Sequence, residues 1–269
     1  MCVFFTFQDY GITPDEEGHA AVLTRKGDCL VHLNRTQEAM AIFEQALALR
    51  PYYLRALRNY AEVLHKEGRF GEAVKLVQWA LEVNPESIAF QQFLGVLFFD
   101  SGQVGLAENV YRQLVSQSPD DPMAHYNLGM FFKKQKRYEA SVEAFLKAVD
   151  HDPNHAGIFA ALGDALANNG QKVDAVRAFQ SSLKIQPNQA GVLLSLGTIL
   201  AESGHLDKAV QVLNASVQVD RRLLGTWYML GQIYHRQNKA DAAMKAYREV
   251  LEIDATHAGA QTRLQSLTN

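Results

Sequence analysis

The sequence predicts an all-α protein, a solenoid of antiparallel helix pairs, and three observations in its 269 residues carry that expectation. Five of the seven prolines, Pro51, Pro85, Pro119, Pro153 and Pro187, recur every 34 positions, and the same column continues as Arg221 and Ala255. With that column numbered 32, column 8 reads Gly27, Ala61, Gly95, Gly129, Gly163, Gly197 and Gly231. Column 15 reads Asn34, Gly68, Gly102, Lys136, Gly170, Gly204 and Asn238. A fixed period of this length, kept without insertion, is the mark of stacked helical units.

The elements follow in order. Residues 1–19 are a lead-in. Within it, residues 1–12 fit no repeat position and hold Phe4, Phe5, Phe7, Tyr10 and Ile12. This segment is expected to cover the first repeat, to engage a partner, or to make a homo-oligomer by docking in a neighbour's groove; a frayed terminus is the alternative. Thr13-Pro14-Asp15-Glu16 supplies an N-cap, a proline at N1 and a glutamate at N3, so the first helix should start near Pro14. Seven repeats then occupy 20–53, 54–87, 88–121, 122–155, 156–189, 190–223 and 224–257.

In each repeat, columns 4, 7, 8 and 11 lie three or four apart and form one face of a first helix. Column 15 ends that helix, because glycine and asparagine tolerate the left-handed conformation; Lys136 is the exception. Columns 20, 24, 27 and 28 form the face of a second helix. Column 20 is alanine or, once, Ser141, and column 24 is Phe43, Val77, Tyr111, Phe145, Phe179, Leu213 or Tyr247. Small residues at 8 and 20 should let the two helices approach closely, with column 24 filling the space beside them. Proline at 32 stops the second helix. Residues 258–269 continue the register as a C-terminal cap helix. Ala260, Leu264 and Leu267 keep its apolar columns, while Gln261, Gln265 and Thr268 turn polar where a partner helix would otherwise pack.

The last repeat reads Trp227-x2-Leu230-Gly231-x2-Tyr234 and then Ala243-x3-Tyr247. This resembles the tetratricopeptide repeat, and the resemblance covers 20–257. It implies a right-handed superhelical solenoid whose inner wall is lined by columns 2, 5, 6, 9, 12 and 13. It also implies a protein-protein interaction scaffold or adaptor that holds a peptide or helix of a partner in that groove. The alternatives are a module of a larger assembly or envelope and secretion machine, or the regulatory partner of a separately encoded enzyme such as a glycosyltransferase.

The wall is uneven. Repeat 3 is apolar where stacking does not demand it, with Phe93, Val96 and Phe99. Repeat 4 adds Met123, Tyr126, Asn127 and Met130, followed by Lys133 and Lys134. Aromatics and methionines on a surface column serve poorly for solubility and well as peptide anchors, so these nine residues are the expected peptide-binding groove. A second, basic stretch, Arg25, Arg55, Arg58 and Lys66, suits an acidic peptide or a terminal carboxylate, although Asp28 and Glu62 are interspersed. Repeat 7 offers Tyr228, Met229, Gln232, His235 and Arg236. The carboxylate clamp of chaperone-binding relatives is not matched by any three successive repeats, and an asparagine ladder at column 6 is incomplete, with Asn59 and Asn127 alone.

Composition excludes other classes. A formal net charge of −3 argues against a general nucleic-acid binder. Two cysteines, Cys2 and Cys29, build neither a disulfide framework nor a four-ligand zinc site, so a reducing, cytoplasmic setting is expected. No apolar run approaches the roughly 20 residues that span a bilayer, and no secretory signal is evident, so membrane insertion is not expected. The closest histidine pair, His151 and His155, sits in a solvated turn. The glycines are consumed by the repeat columns rather than by a phosphate loop. Without a nucleophile elbow or paired carboxylates the chain is expected to be non-enzymatic, with no catalytic residues, cofactor or metal.

Overall fold

The computed structural model describes residues 16–268, and all of its regular structure is helical. In chain order the helices are α1 (Glu16–His32), α2 (Thr36–Leu49), α3 (Leu54–Lys66), α4 (Phe70–Val83), α5 (Ile88–Asp100), α6 (Val104–Gln117), α7 (Pro122–Lys134) and α8 (Tyr138–His151). They continue as α9 (Ala156–Asn168), α10 (Lys172–Ile185), α11 (Ala190–Glu202), α12 (Leu206–Val219), α13 (Leu224–Arg236), α14 (Ala240–Ile253) and α15 (Ala258–Thr268). Odd and even helices up to α14 are the first and second helices of the seven repeats, so the architecture is an all-α helical repeat solenoid. The N-cap at Thr13 and the apolar segment 1–12 lie outside the described residues.

The chain divides into two compact units, 1–119 and 120–269. In the first, α1, α3 and α5 pack on α2, α4 and α6, and successive hairpins stack through α2 on α3 and α4 on α5. Its core runs from Leu30 and Phe43 through Leu57, Tyr60 and Leu64 to Phe90 and Leu97. In the second unit the same pattern runs from α7 to α14. Phe145, Leu162, Phe179 and Leu196 form one core cluster, and Leu213, Leu230 and Ile233 another. The helix α15 packs on α14, with Ala260 fully buried and Leu264 and Leu267 against Tyr247 and Val250. Gln261, Gln265 and Thr268 are exposed on its other side.

The close approach of paired helices has a visible cause. Each glycine of column 8 faces the side chain of column 24, sixteen positions on. A Cβ on Gly27, Gly129, Gly163 or Gly231 would lie 2.5–2.8 Å from the ring of Phe43, Phe145, Phe179 or Tyr247. The repeat that has a Cβ in this column, at Ala61, has the smallest partner, Val77, and both are fully buried. All seven column-20 residues, Ala39 to Ala243, are fully buried as well.

The turn inside each repeat is equally uniform. All seven column-15 residues take positive φ, from Asn238 at 57° to Gly204 at 83°, and Lys136 does so too, at 58°. The next residue's N–H returns to the carbonyl of column 11, as in Arg69 N to Leu64 O at 2.8 Å and Arg137 N to Phe132 O at 3.0 Å. This closes the first helix and starts the second. Between repeats, the two that lack proline carry an aspartate just before that column. Asp220 Oδ1 accepts from Arg222 N at 2.8 Å and Asp254 Oδ1 from Thr256 N at 2.9 Å, so a side chain makes the turn.

Candidate functional site

The first helix of each repeat spends its apolar face on its own second helix and its neighbours. What remains is the wall, described here for each compact unit.

In the first unit the basic stretch is charge-balanced from within. Asp28 on α1 accepts from Arg55 on α3 at 3.3 Å and from the Asn59 amide. Arg58 donates to Glu62 one turn on, at 2.9 Å. Arg25 is half-buried on α1, and Lys66 is exposed at the end of α3. His65 lies 2.7 Å from Asp100 on α5 and meets Phe93 edge-on, with ring centroids 6.0 Å apart. The apolar stretch sits beside this polar one. Phe93, Val96 and Phe99 are only partly covered, and Phe93 rests against the core by one edge. The partial exposure of this α5 face follows from its sequence, IAFQQFLGVLFFD, which is apolar on more than one side of the helix, so packing can bury one side and must leave the other in part uncovered.

In the second unit, Tyr126 and Met130 on α7 lean on the core, Tyr126 with its ring 5.6 Å from that of Phe145. Met123 at the start of α7 is 39% exposed, and Asn127 is half-buried. Lys133 donates to Asp164 on α9 at 2.9 Å, while Lys134 is exposed. The nine residues of the expected groove come from both units. Phe93, Val96 and Phe99 belong to the first unit, and Met123, Tyr126, Asn127, Met130, Lys133 and Lys134 belong to the second.

Two features of the wall carry no direct signal in the sequence. Asp100 lies against His65 and Asp164 pairs with Lys133, and a register argument could have found these pairings, because columns 9 and 13 of one repeat face column 12 of the repeat before. The second is Arg263 on α15. It occupies column 6 of the unfinished eighth repeat and lines a pocket with Thr198, Glu202, Met229, Gln232, His235, Arg236 and Tyr247. Among the described residues, no group of three or more His, Cys, Asp or Glu side chains is arranged to hold a metal ion. Among the same residues, no helix is long and apolar enough to cross a membrane.

Comparison with known proteins places this geometry. Tetratricopeptide repeat family models match residues 30–97, 94–156, 144–177 and 224–257. No curated protein matches the sequence. Among solved structures, the C-terminal part of a TPR repeat-containing protein from Cytophaga hutchinsonii is 19% identical with a TM-score of 0.64, over 90% of this chain and 99% of that one. The pilF protein of Pseudomonas aeruginosa is 20% identical with a TM-score of 0.64, over 79% and 97%. YrrB, described as a TPR protein with an unusual peptide-binding site, is 20% identical with a TM-score of 0.58, over 70% and 97%. At these identities the likeness is one of fold.

Proposed function

The chain belongs to the tetratricopeptide repeat family, whose fold generally mediates protein-protein interactions, and we propose that it is a non-enzymatic scaffold that captures a peptide or helix of a partner protein. One observation supports this above the others. Phe93, Val96 and Phe99 remain partly exposed on α5 after both helices of that repeat have packed. A lone exposed apolar residue needs no explanation, but three on adjoining turns of one helix mark a contact surface. Met123, Tyr126 and Met130 on α7 offer the second unit a similar surface of polarizable and aromatic groups. The basic stretch supports an acidic ligand less well, because Asp28 and Glu62 already hold Arg55 and Arg58.

The family is typically non-enzymatic, and the wall residues described above form ion pairs rather than a nucleophile with its base. Two cysteines and no long apolar helix among the described residues suit a cytoplasmic scaffold.

The test uses two variants of the full chain, Phe93→Ala/Phe99→Ala and Tyr126→Ala/Met130→Ala. Each is immobilised beside the wild type for affinity capture, with bound proteins identified by mass spectrometry and helicity checked by circular dichroism. Loss of the same captured protein from one or both variants, at unchanged helicity, is the expected outcome. Capture unaffected by either variant would refute the wall as the binding surface.

A further inference from the structure

The chain has two tryptophans, and only one of them belongs to the repeat frame. Trp227 keeps the repeat pattern, and its indole N–H donates to Arg221 O at 2.9 Å. Trp79 on α4 stands in column 26, where the other repeats carry Gln, Lys, Ser, Ala or Glu. Tyr52, in the turn after α2, stands in column 33, where the others carry Glu, Asp, Asn, Arg or Thr. Stacking therefore demands an aromatic ring in neither column. Yet these two departures, from adjacent repeats, meet edge to face, with ring centroids 5.6 Å apart and planes at 78°.

The pair is not consumed by packing. Tyr52 is 54% exposed, and Trp79 is half-buried on the core of the first unit. The Trp79 indole N–H has no acceptor among the described residues. Trp79 also lines an open groove of about 640 Å³, with Tyr60 and Leu64 of α3 buried at its base. Most of that lining is on α4, a second helix, so the groove lies outside the inner wall of first helices. Its other polar groups are largely taken. The Tyr60 hydroxyl donates to Glu44 on α2 at 2.6 Å. Glu72 is held by Arg69 through two hydrogen bonds of 2.7 Å, and Lys75 lies one turn from it. Glu82 is the exception. It lines the groove one turn beyond Trp79 and has no cation paired with it among the described residues.

Three unfilled features narrow the ligand. The exposed rings want flat apolar groups, the indole N–H wants a carbonyl, and Glu82 wants a cation. A bound helix would offer its free carbonyls only in its last turn. A bound β-strand needs a row of backbone partners, and the described regular structure is all helical, with no sheet edge to add to. A polyproline II segment has no internal hydrogen bonds, keeps its carbonyls free, and presents proline rings that pack on aromatic faces. We propose that the Tyr52–Trp79 pair docks a proline-rich segment of a partner protein that carries a basic residue. Proline rings pack on the two aromatics, the Trp79 indole N–H donates to a carbonyl of the segment, and Glu82 accepts from its arginine or lysine. The site lies wholly in the first unit and uses none of the apolar residues on α5 and α7. It is a second contact surface, and either reading can fail without the other.

The test uses the full chain labelled with 5-fluorotryptophan, whose two ¹⁹F resonances are assigned through Trp79→Phe. The probe is N-acetyl-Pro-Pro-Pro-Arg-Pro-Pro-Pro-amide. Three controls replace every Pro by Ala, replace Arg by Gln, or substitute the amphipathic helical peptide N-acetyl-(Leu-Ala-Gln-Arg-Leu-Ala-Gln)₂-amide. The probe should shift the Trp79 resonance saturably and leave that of Trp227 in place. The alanine peptide should bind about tenfold more weakly, having lost the ring contacts and the preformed conformation. The glutamine peptide should bind roughly threefold more weakly, as suits an exposed ion pair. Tyr52→Ala should weaken the probe about tenfold at unchanged Tm. Glu82→Gln should abolish the preference for arginine over glutamine and keep that for proline over alanine. Equal or tighter binding of the alanine or helical peptide overturns the proposal, as does undiminished binding by Tyr52→Ala. A Trp79 resonance that moves when the protein alone is concentrated assigns the groove to a second copy and overturns it too. No shift with any peptide overturns the site itself.

Discussion

Replacing Gly163 by alanine should destabilise the protein although alanine is the better helix former. A Cβ at this position lies 2.6 Å from Phe179 Cε1 and 2.7 Å from Cδ1, against the roughly 3.5–4.0 Å at which carbon atoms pack best. The ring must retreat by about 1 Å. It has nowhere to go, because Phe179 is 1% exposed and Ala175 beneath it is fully buried. Overpacking of this kind costs roughly 1–3 kcal/mol, and alanine returns roughly 0.5–1 kcal/mol of helix propensity. The net expectation is a loss of about 1 kcal/mol, read from the midpoint of urea unfolding followed by circular dichroism. Gly191→Ala is the control in the same unit, since its Cβ meets nothing within 4 Å, and it should raise the midpoint. The chain also suggests the rescue. Ala61 coexists with Val77, so Phe179→Val should relieve Gly163→Ala, and the double variant should lose less than the sum of the single ones by about 1 kcal/mol. A Gly163→Ala midpoint at or above that of Gly191→Ala, or additive losses in the double variant, would refute the idea that this contact sets the helix spacing.

Three further outcomes are expected. Lys136→Gly should stabilise by about 0.5–1 kcal/mol in the same assay, since a side chain in the left-handed region costs roughly 1–2 kcal/mol and glycine's extra chain entropy recovers only part of that. Ser182→Ala should cost about 1 kcal/mol, because the buried hydroxyl donates to Ala156 O at 2.9 Å while alanine fits the same column at Ala46, Ala80 and Ala148. The Asp254 carboxyl is held below the usual carboxylate range, first by the Thr256 hydroxyl and then by its N–H. Its contribution is therefore present above the unfolded-state pKa and lost as pH falls through the lower folded value, so Asp254→Ala should flatten the acid limb of Tm against pH, measured by calorimetry.

The scaffold was legible in the sequence because each rule acts at fixed spacing. The glycine of column 8 and the ring of column 24 meet in the structure because both sit on regular helices joined by an identical turn. Lys136 shows the limit of local preference, since six other turns of the same geometry surround it in the register and the tertiary frame imposes φ on it. The wall was less legible. Which cations pair with which carboxylates depends on rotamers across repeats, as Lys133 does with Asp164, and no period specifies that. The buried Tyr247 hydroxyl, which has no hydrogen-bond partner among the described residues, was invisible, because the column predicts a buried ring and says nothing of the atom at its tip. The apolar positions of the cap helix predict its packing face and give no sign of Arg263. The division at Pro119 and Asp120 left no trace, since the 34-residue register runs through it unbroken.

The hydrogen bonds and ion pairs described above span at most 35 positions, the reach of His65 to Asp100. Every substantial helix contact is likewise between neighbours or next-but-one neighbours. For a chain leaving a ribosome this locality sets a schedule. At roughly 5–20 residues per second a 34-residue repeat takes about 2–7 s to emerge, far longer than a helical hairpin needs to form. Each repeat can therefore close the contact between its columns 8 and 24 before its successor is made, and only the contacts to the next repeat must wait. Synthesis and folding can proceed at the same pace from one end, with little exposed apolar surface at any moment beyond the repeat in progress.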